Sequence, residues 1–478
     1  MRWGWICLLL VAGCARAVPP QTRAAYADLV VADTECRAAG PELVEPAALA
    51  RDVRVLERVL RRGYAGFESA ADEHRWTEVF GELRASVPPQ PTSPRAFRDL
   101  LLEHITFVDD AHVGLWVYEP RRHWRSTTRH RQAWVAAGER LERSGDGYVD
   151  QAGLALVSCG GEPAEAVLRP TTGDAPPSID YVPVVLSAEE PPPLVCTFAD
   201  GSERTVPLTR LNVRGARGAP FEMGEAPFPW LRLRTLFTDH RGALERFVAT
   251  APTVRDAPVV VLDLRRAGGG SDVFLFQWFR ALTAQPIHYW ETDRLASETT
   301  LQGALTFWGC VRGSLTSRSD EAGRAWLDAR VARAQRELDE AMNERGLFRE
   351  RTRESRVLDG RAPVPFAGRL LLVVDRGCGS ACETSVLLAR QIPGALVVGE
   401  NTEGAMKVGE LRHYRLPESR VWISLGMRAH HDPDGRFEES RGFLPDLWLH
   451  NDDPDHQIAE LAACLAEPAC AATLTAPR

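Results

Sequence analysis

The chain carries a single lysine, Lys407, in 478 residues, and every other member of its 57 Lys plus Arg is an arginine. The bias runs through the whole sequence and by itself says nothing about chemistry, but it leaves only one position where a lysine could act as a general base. Positive charge is not in excess: the formal net charge is −8, and no nucleic-acid partner is implied. Beyond the N-terminus no apolar run is long enough to span a bilayer. The glycines at 268–270 are not followed by Gly-Lys-Ser/Thr and lack the dinucleotide spacing, which excludes a nucleotide cradle. Cys378 and Cys382 have no second cysteine pair or nearby histidine to complete four ligands, which argues against zinc. No metal ion or organic cofactor is expected.

What is present begins with an address. "MRWGWICLLLVAGCARAVPP" has one positive charge, an apolar stretch and small residues before a cysteine, the order of a secretory signal over residues 1–17. Two cleavage sites compete. "VAGC" places lipidation at Cys14, whereas "ARA" places ordinary cleavage after Ala17, and the cysteine directly after Ala-Gly favours the lipoprotein. The expectation is an exported, lipid-anchored protein of a bacterial cell envelope. Eight further cysteines follow, and export permits disulfides; Cys464 and Cys470 are the easiest pair to close, and the other connectivities stay open.

The remaining chain divides by pattern. Residues 18–125 repeat apolar positions at helical spacing, as in "LARDVRVLERVLRRGYAGF", and read as a helical domain. Residues 126–215 alternate short β-type runs with turns, Asp200-Gly201 among them. Residues 216–450 alternate strands and helices as an α/β core, with a charged helical insertion at about 290–360. Residues 451–478 form a C-terminal tail. "RRHWRSTTRHR", from Arg121 to Arg131, reads as a solvated basic loop.

Chemistry concentrates where apolar strands end in glycine. In "LLLVVDRGCGSACETSVLLAR" a strand closes at Asp375 and Ser380 opens a helix, where the Ala381 amide and the helix dipole would favour an oxyanion. The same serine would also serve as a plain N-cap. "VVVLDLRRAGGGSD" ends a second strand with Gly268, Gly269 and Gly270, whose missing side chains let backbone amides approach a ligand. Glu383, one turn into the serine's helix, reads as a helix-surface or subsite residue.

Taken in order, "LDLRRAGGGS", "GSACE", "VVGENTEG" and "EESRGFLPD" resemble four motifs of the tail-specific, or C-terminal processing, serine peptidases, a family that also contains the tricorn core protease and interphotoreceptor retinoid-binding protein. The joint order is far more specific than any one pattern. The resemblance implies an α/β, crotonase-like catalytic core, a PDZ-like module ahead of it, and hydrolysis of peptide or protein substrates by a serine endopeptidase. It implies Ser380 as nucleophile, with Gly269 or Gly270 and Ala381 as oxyanion donors.

The family's two branches differ over the base. In the Ser-Lys branch the lysine directly follows a glycine, a slot that here holds Ala405; Lys407 is two residues late, about 7 Å along a strand. In the tricorn-like branch a histidine lies far upstream, and "FVDDAHVGLWV" supplies Asp109, Asp110 and His112 at that place in the chain order. Imidazole accepts a proton near neutral pH without unusual tuning, so His112 is the preferred base and Lys407 the alternative. Glu439 occupies the slot of the family glutamate and is expected to orient the histidine or its neighbour. Ala111 stands where tricorn has a serine. Ala111 and Ala405 keep a second reading open, a noncatalytic peptide- or lipid-binding relative of the same fold.

Overall fold

The computed structural model describes residues 29–475, apart from 120, 137, 174–175, 225–226, 316–318, 320 and 451–452. The expected signal sequence and Cys14 lie outside the described residues. Among those described, no helix is long and apolar enough to cross a membrane.

The fold is mixed α/β, and its first helices follow from local chemistry. Pro46–Gly63 starts with proline in its first turn and buries Leu49, Val53, Leu56, Val59 and Leu60 on one face. Glu73–Ala85 is capped by the Asp72 carboxylate, which accepts from the Arg75 amide at 2.8 Å, and Pro94–Ile105 by the Ser93 hydroxyl, which accepts from the Ala96 amide at 3.3 Å. They close around Trp76, which stacks on Phe67 and Phe80. The turn that follows this bundle carries His112.

Two sheets hold the site between them. In the ten-stranded sheet, Trp230–Leu233, Val259–Asp263, Arg369–Val374, Leu396–Gly399 and Leu447–Trp448 run parallel. Alternation sets their faces: Val260, Leu262, Leu370 and Leu372 pack under the helices Val273–Leu282 and Ala381–Ala389, while Val259, Val261, Leu371 and Val373 point the other way. Burial on both sides is why "VVVLD" is continuously apolar. The second face is covered by Pro454–Ala466 and Pro468–Leu474, so the segment expected as a tail is a packed helical pair joined by the Cys464–Cys470 disulfide.

The six-stranded sheet runs Arg349–Glu354, Glu291–Ser297, Trp422–His431, Gly114–Glu119 and Arg121–Ser126, with Val408–Arg415 also paired to Trp422–His431. Arg121–Ser126 is therefore a strand, not the basic loop expected there, because its backbone pairs residue for residue with Gly114–Glu119. The insertion is framed by strands 291–297 and 349–354, between which stand the helices Glu298–Leu315 and Glu321–Glu344. A disulfide between Cys36 and Cys310, 274 residues apart, ties the first of these helices to the N-terminal segment. In the β-rich stretch, Leu194–Phe198 and Glu203–Val206 form a hairpin through Gly201, whose φ of 83° suits glycine, and Cys159–Cys196 bridges two paired strands.

Where strand Val259–Asp263 ends, a buried ion cluster fixes the first glycine loop. Asp263 accepts from the Arg265 amide at 3.0 Å and from its guanidinium at 2.8 Å, and from Arg234 at 3.2 Å. Burial alone would raise its carboxyl; the Arg265 and Arg234 guanidiniums overcome that and hold it below the usual range. Asp263→Ala would take from Arg265, 1% exposed, its buried carboxylate partner and leave it only the half-exposed Asp455 at 2.6 Å. The expected loss is about 3–5 kcal/mol in denaturant unfolding, with a smaller loss for Asp263→Asn.

Candidate active site

Ser380 sits between strand Arg369–Val374 and helix Ala381–Ala389 with φ 54° and ψ −120°, a left-handed conformation that costs a non-glycine residue on the order of 1–3 kcal/mol. Several contacts over-determine it. Asp375 Oδ1 accepts from the amides of Gly377 (2.9 Å) and Arg266 (3.0 Å), which locks the turn before the serine onto the glycine loop. Gly268 N donates to Gly377 O at 3.0 Å, a second tie between the loops. Cys378 and Cys382 are joined across the serine as a disulfide, with Cα atoms 5.1 Å apart. The Ser380 amide donates to Glu383 Oε2 at 3.0 Å.

Glu383 is buried, not on the helix surface as its position suggested. Its Oε1 accepts from the Thr402 hydroxyl (2.6 Å) and the Gly404 amide (2.8 Å), and its Oε2 also accepts from the Ala405 amide (2.9 Å). The spacing Ser380-x-x-Glu383 was the sequence signal for this inward turn, since a glutamate three residues after an N-cap reaches back to the cap's amide.

His112 faces the serine. Its Nε2 lies 3.2 Å from Ser380 Oγ and its Nδ1 2.8 Å from the carbonyl of Val408. A carbonyl only accepts, so Nδ1 carries the hydrogen and the neutral ring presents the Nε2 lone pair to the hydroxyl. The His112 amide donates to Asp110 Oδ1 at 2.9 Å, and Asp110 Oδ2 accepts from the Tyr64 hydroxyl at 2.7 Å. Tyr64 follows the end of a helix and carries no sequence signal for this contact.

Glu439 bonds to backbone around the histidine and not to its ring: Oε1 accepts from Ala111 N (2.8 Å), Oε2 from Met406 N (3.1 Å) and Lys407 N (2.8 Å). Ala111 thus enters the site through its amide. Burial pushes the Glu439 carboxyl well up, and the Asp110 carboxylate pushes it further; Asp110 is likewise raised by burial, with His112 acting against that. Lys407 places its Nζ 3.5 Å from the Asp109 carbonyl oxygen, and no hydrogen bond joins it to Ser380 among the described residues.

The glycines divide. A methyl carbon on Gly269 would lie 3.1 Å from Ser380 Cβ, so this backbone abuts the serine; one on Gly270, where φ is 141°, would lie 2.3 Å from the Leu236 carbonyl oxygen. Among the described residues neither Gly269 N nor Ala381 N has an intramolecular acceptor. Residues 230–449 match the model of peptidase family S41.

The S41 region contains Ser380, both glycine loops, Glu383, Lys407 and Glu439, and leaves His112 outside. S41 is a family of serine peptidases. Solved structures similar to the chain include mature CPAF (13% identity, 90% of this chain and 98% of that one, TM-score 0.47). A photosystem II D1 C-terminal processing protease is similar at 15% identity (89% and 98%, TM-score 0.40), and the tricorn protease at 10% (88% and 37%, TM-score 0.39). These are distant likenesses. No curated protein matches the chain.

Gly269 and Gly270 should respond differently to a methyl group. Gly269→Ala leaves the fold intact and slows fluorophosphonate labelling of the serine about tenfold or more, because Ser380 must shift by a few tenths of an ångström. Gly270→Ala instead lowers the unfolding temperature, since its Cβ collides with Leu236 backbone in a strained φ region.

Proposed function

We propose that the chain is an exported serine endopeptidase in which Ser380 is the nucleophile and His112 the general base. The observation that carries this reading is the pair of contacts at His112: Nε2 on Ser380 Oγ at 3.2 Å while Nδ1–H is held by the Val408 carbonyl at 2.8 Å. Ser380 Oγ attacks the scissile carbonyl carbon as Nε2 takes its proton. The oxyanion is received by the amides of Gly269 and Ala381, which have no other intramolecular acceptor to give up. The imidazolium then passes its proton to the leaving amine, and water, activated by the same nitrogen, releases the acyl group. Asp110 and Glu439 act as positioning residues by fixing the backbone of 110–112, and an ionised Asp110 favours the transient imidazolium.

This reading includes a crotonase-like core, a PDZ-like module within 126–215 and an N-terminal helical domain that delivers His112. It places the protein outside the cytoplasm, on a membrane through lipid at Cys14. All eight described cysteines are paired, which supports an oxidising compartment.

Ser380→Ala should abolish fluorophosphonate labelling and lower peptide hydrolysis by roughly a thousandfold or more. His112→Ala should cost about as much, and Lys407→Arg, which keeps the charge, should stay within about twofold of wild type, each variant first matched to wild type in thermal unfolding. A dead Lys407→Arg beside an active His112→Ala would reassign the base to the lysine. For the anchor, Cys14→Ser is expected to release the protein from membranes, because acyl chains contribute about 0.8 kcal/mol per buried methylene. A mature N-terminus at Val18 by mass spectrometry would exclude lipidation.

A further inference from the structure

We propose that Glu383 is a positioning residue which, as a carboxylate, holds Ser380 in its attacking conformation and ties it to the loop 402–405, so that protonation of Glu383 switches the nucleophile off. The inference rests on the Ser380 reading above and adds a second ionisable group to it.

The geometry is that of a clamp. Two oxygens take four donors from two separate segments: the amide of the serine itself, and the Thr402 hydroxyl and the Gly404 and Ala405 amides of the loop. The three amides can only donate, and each bond to an ionised acceptor is roughly twice as strong as its neutral counterpart. An added proton fits only on the Thr402 side, where it reverses that bond and weakens the other three. The Thr402 hydroxyl also accepts from Phe443 N at 2.8 Å, which fixes its position and leaves one lone pair for a proton on Glu383. What the clamp restrains is a serine with φ 54°, a conformation that relaxes when its restraints loosen.

The setting brings this protonation into the working range. Burial, the largest influence, raises the Glu383 carboxyl to about 7 against the pull of its donors, and the Glu403 carboxylate on the facing loop adds to the rise. Glu439, bound to the next residues of the same loop, feels the charges of Asp110 and Glu383 as repulsion. The sign follows directly. Above about pH 7 the clamp is ionised and closed; as pH falls through that value Glu383 binds a proton and the serine is released.

The test is fluorophosphonate labelling and peptide hydrolysis followed against pH. In Glu383→Gln, kcat and the labelling rate should fall about tenfold or more while KM stays within about threefold, and the acid limb should become shallower, since one of the protons that silences the serine has gone. A folded Glu383→Gln that labels within twofold of wild type, or keeps the wild-type steepness, overturns the proposal. Thr402→Val offers a second variant if Glu383→Gln does not fold. Removing one donor makes Glu383 harder to ionise and should move the acid limb to higher pH, and an unmoved limb overturns the proposal. Labelling that survives Ser380→Ala would sink the nucleophile assignment itself, whereas Ser380-dependent labelling indifferent to Glu383 and Thr402 sinks only the clamp.

Discussion

A serine held at φ 54° between a buried parallel strand and a helix is an expensive arrangement, and the surrounding structure is organised around keeping it there. The strand fixes one side, because Leu370–Val374 is buried on both faces and cannot shift without moving its neighbours. The Cys378–Cys382 disulfide spans the corner from outside the serine's own contacts. Asp375 ties the preceding turn to the glycine loop, so Ser380 and the backbone of Gly269 are held by one set of bonds.

Buried carboxylates do most of this fastening, and they do it through backbone amides. Asp375 holds the glycine loop, Glu383 the loop 402–405, and Glu439 both the histidine turn and residues 406–407. Each is an acidic side chain that burial alone would neutralise, with its carboxyl raised accordingly. An amide cannot be deprotonated or rotated away, so such a bond places main chain more firmly than a bond between two flexible side chains. The arrangement also explains how alanine can stand at 111 and 405: both residues reach these carboxylates through their N–H groups.

The surroundings of His112 and Lys407 depend on the same backbone. Val408 begins a strand of the six-stranded sheet, and its carbonyl selects the tautomer of His112. Lys407, one residue earlier, donates its amide to Glu439 and sends its side chain toward Asp109. The backbone beside the single lysine thus serves to orient His112 and to bind Glu439.

Much of this could be read locally. The caps at Asp72 and Ser93, the doubly buried "VVVLD" strand, the Asp200-Gly201 hairpin and the strand-glycine-serine-helix corner are short-range patterns, and backbone sterics and burial fix them within a few residues. Sequence order also put His112, Ser380 and Glu439 forward as candidates. Pairings across the chain were not legible: His112 meets Ser380 over 268 residues, Cys36 meets Cys310 over 274, and Tyr64 reaches Asp110 from a helix end with no motif of its own. Periodicity tells which face of an element is buried but not against what, so Glu383 looked like a surface residue and the C-terminal helices like a tail. Only the tertiary structure decided these points: neighbouring parallel strands of the ten-stranded sheet set Gly269 rather than Gly270 against the serine, and contacts between distant segments send the single lysine to the Asp109 carbonyl and let Glu439 grip backbone around the imidazole instead of the ring.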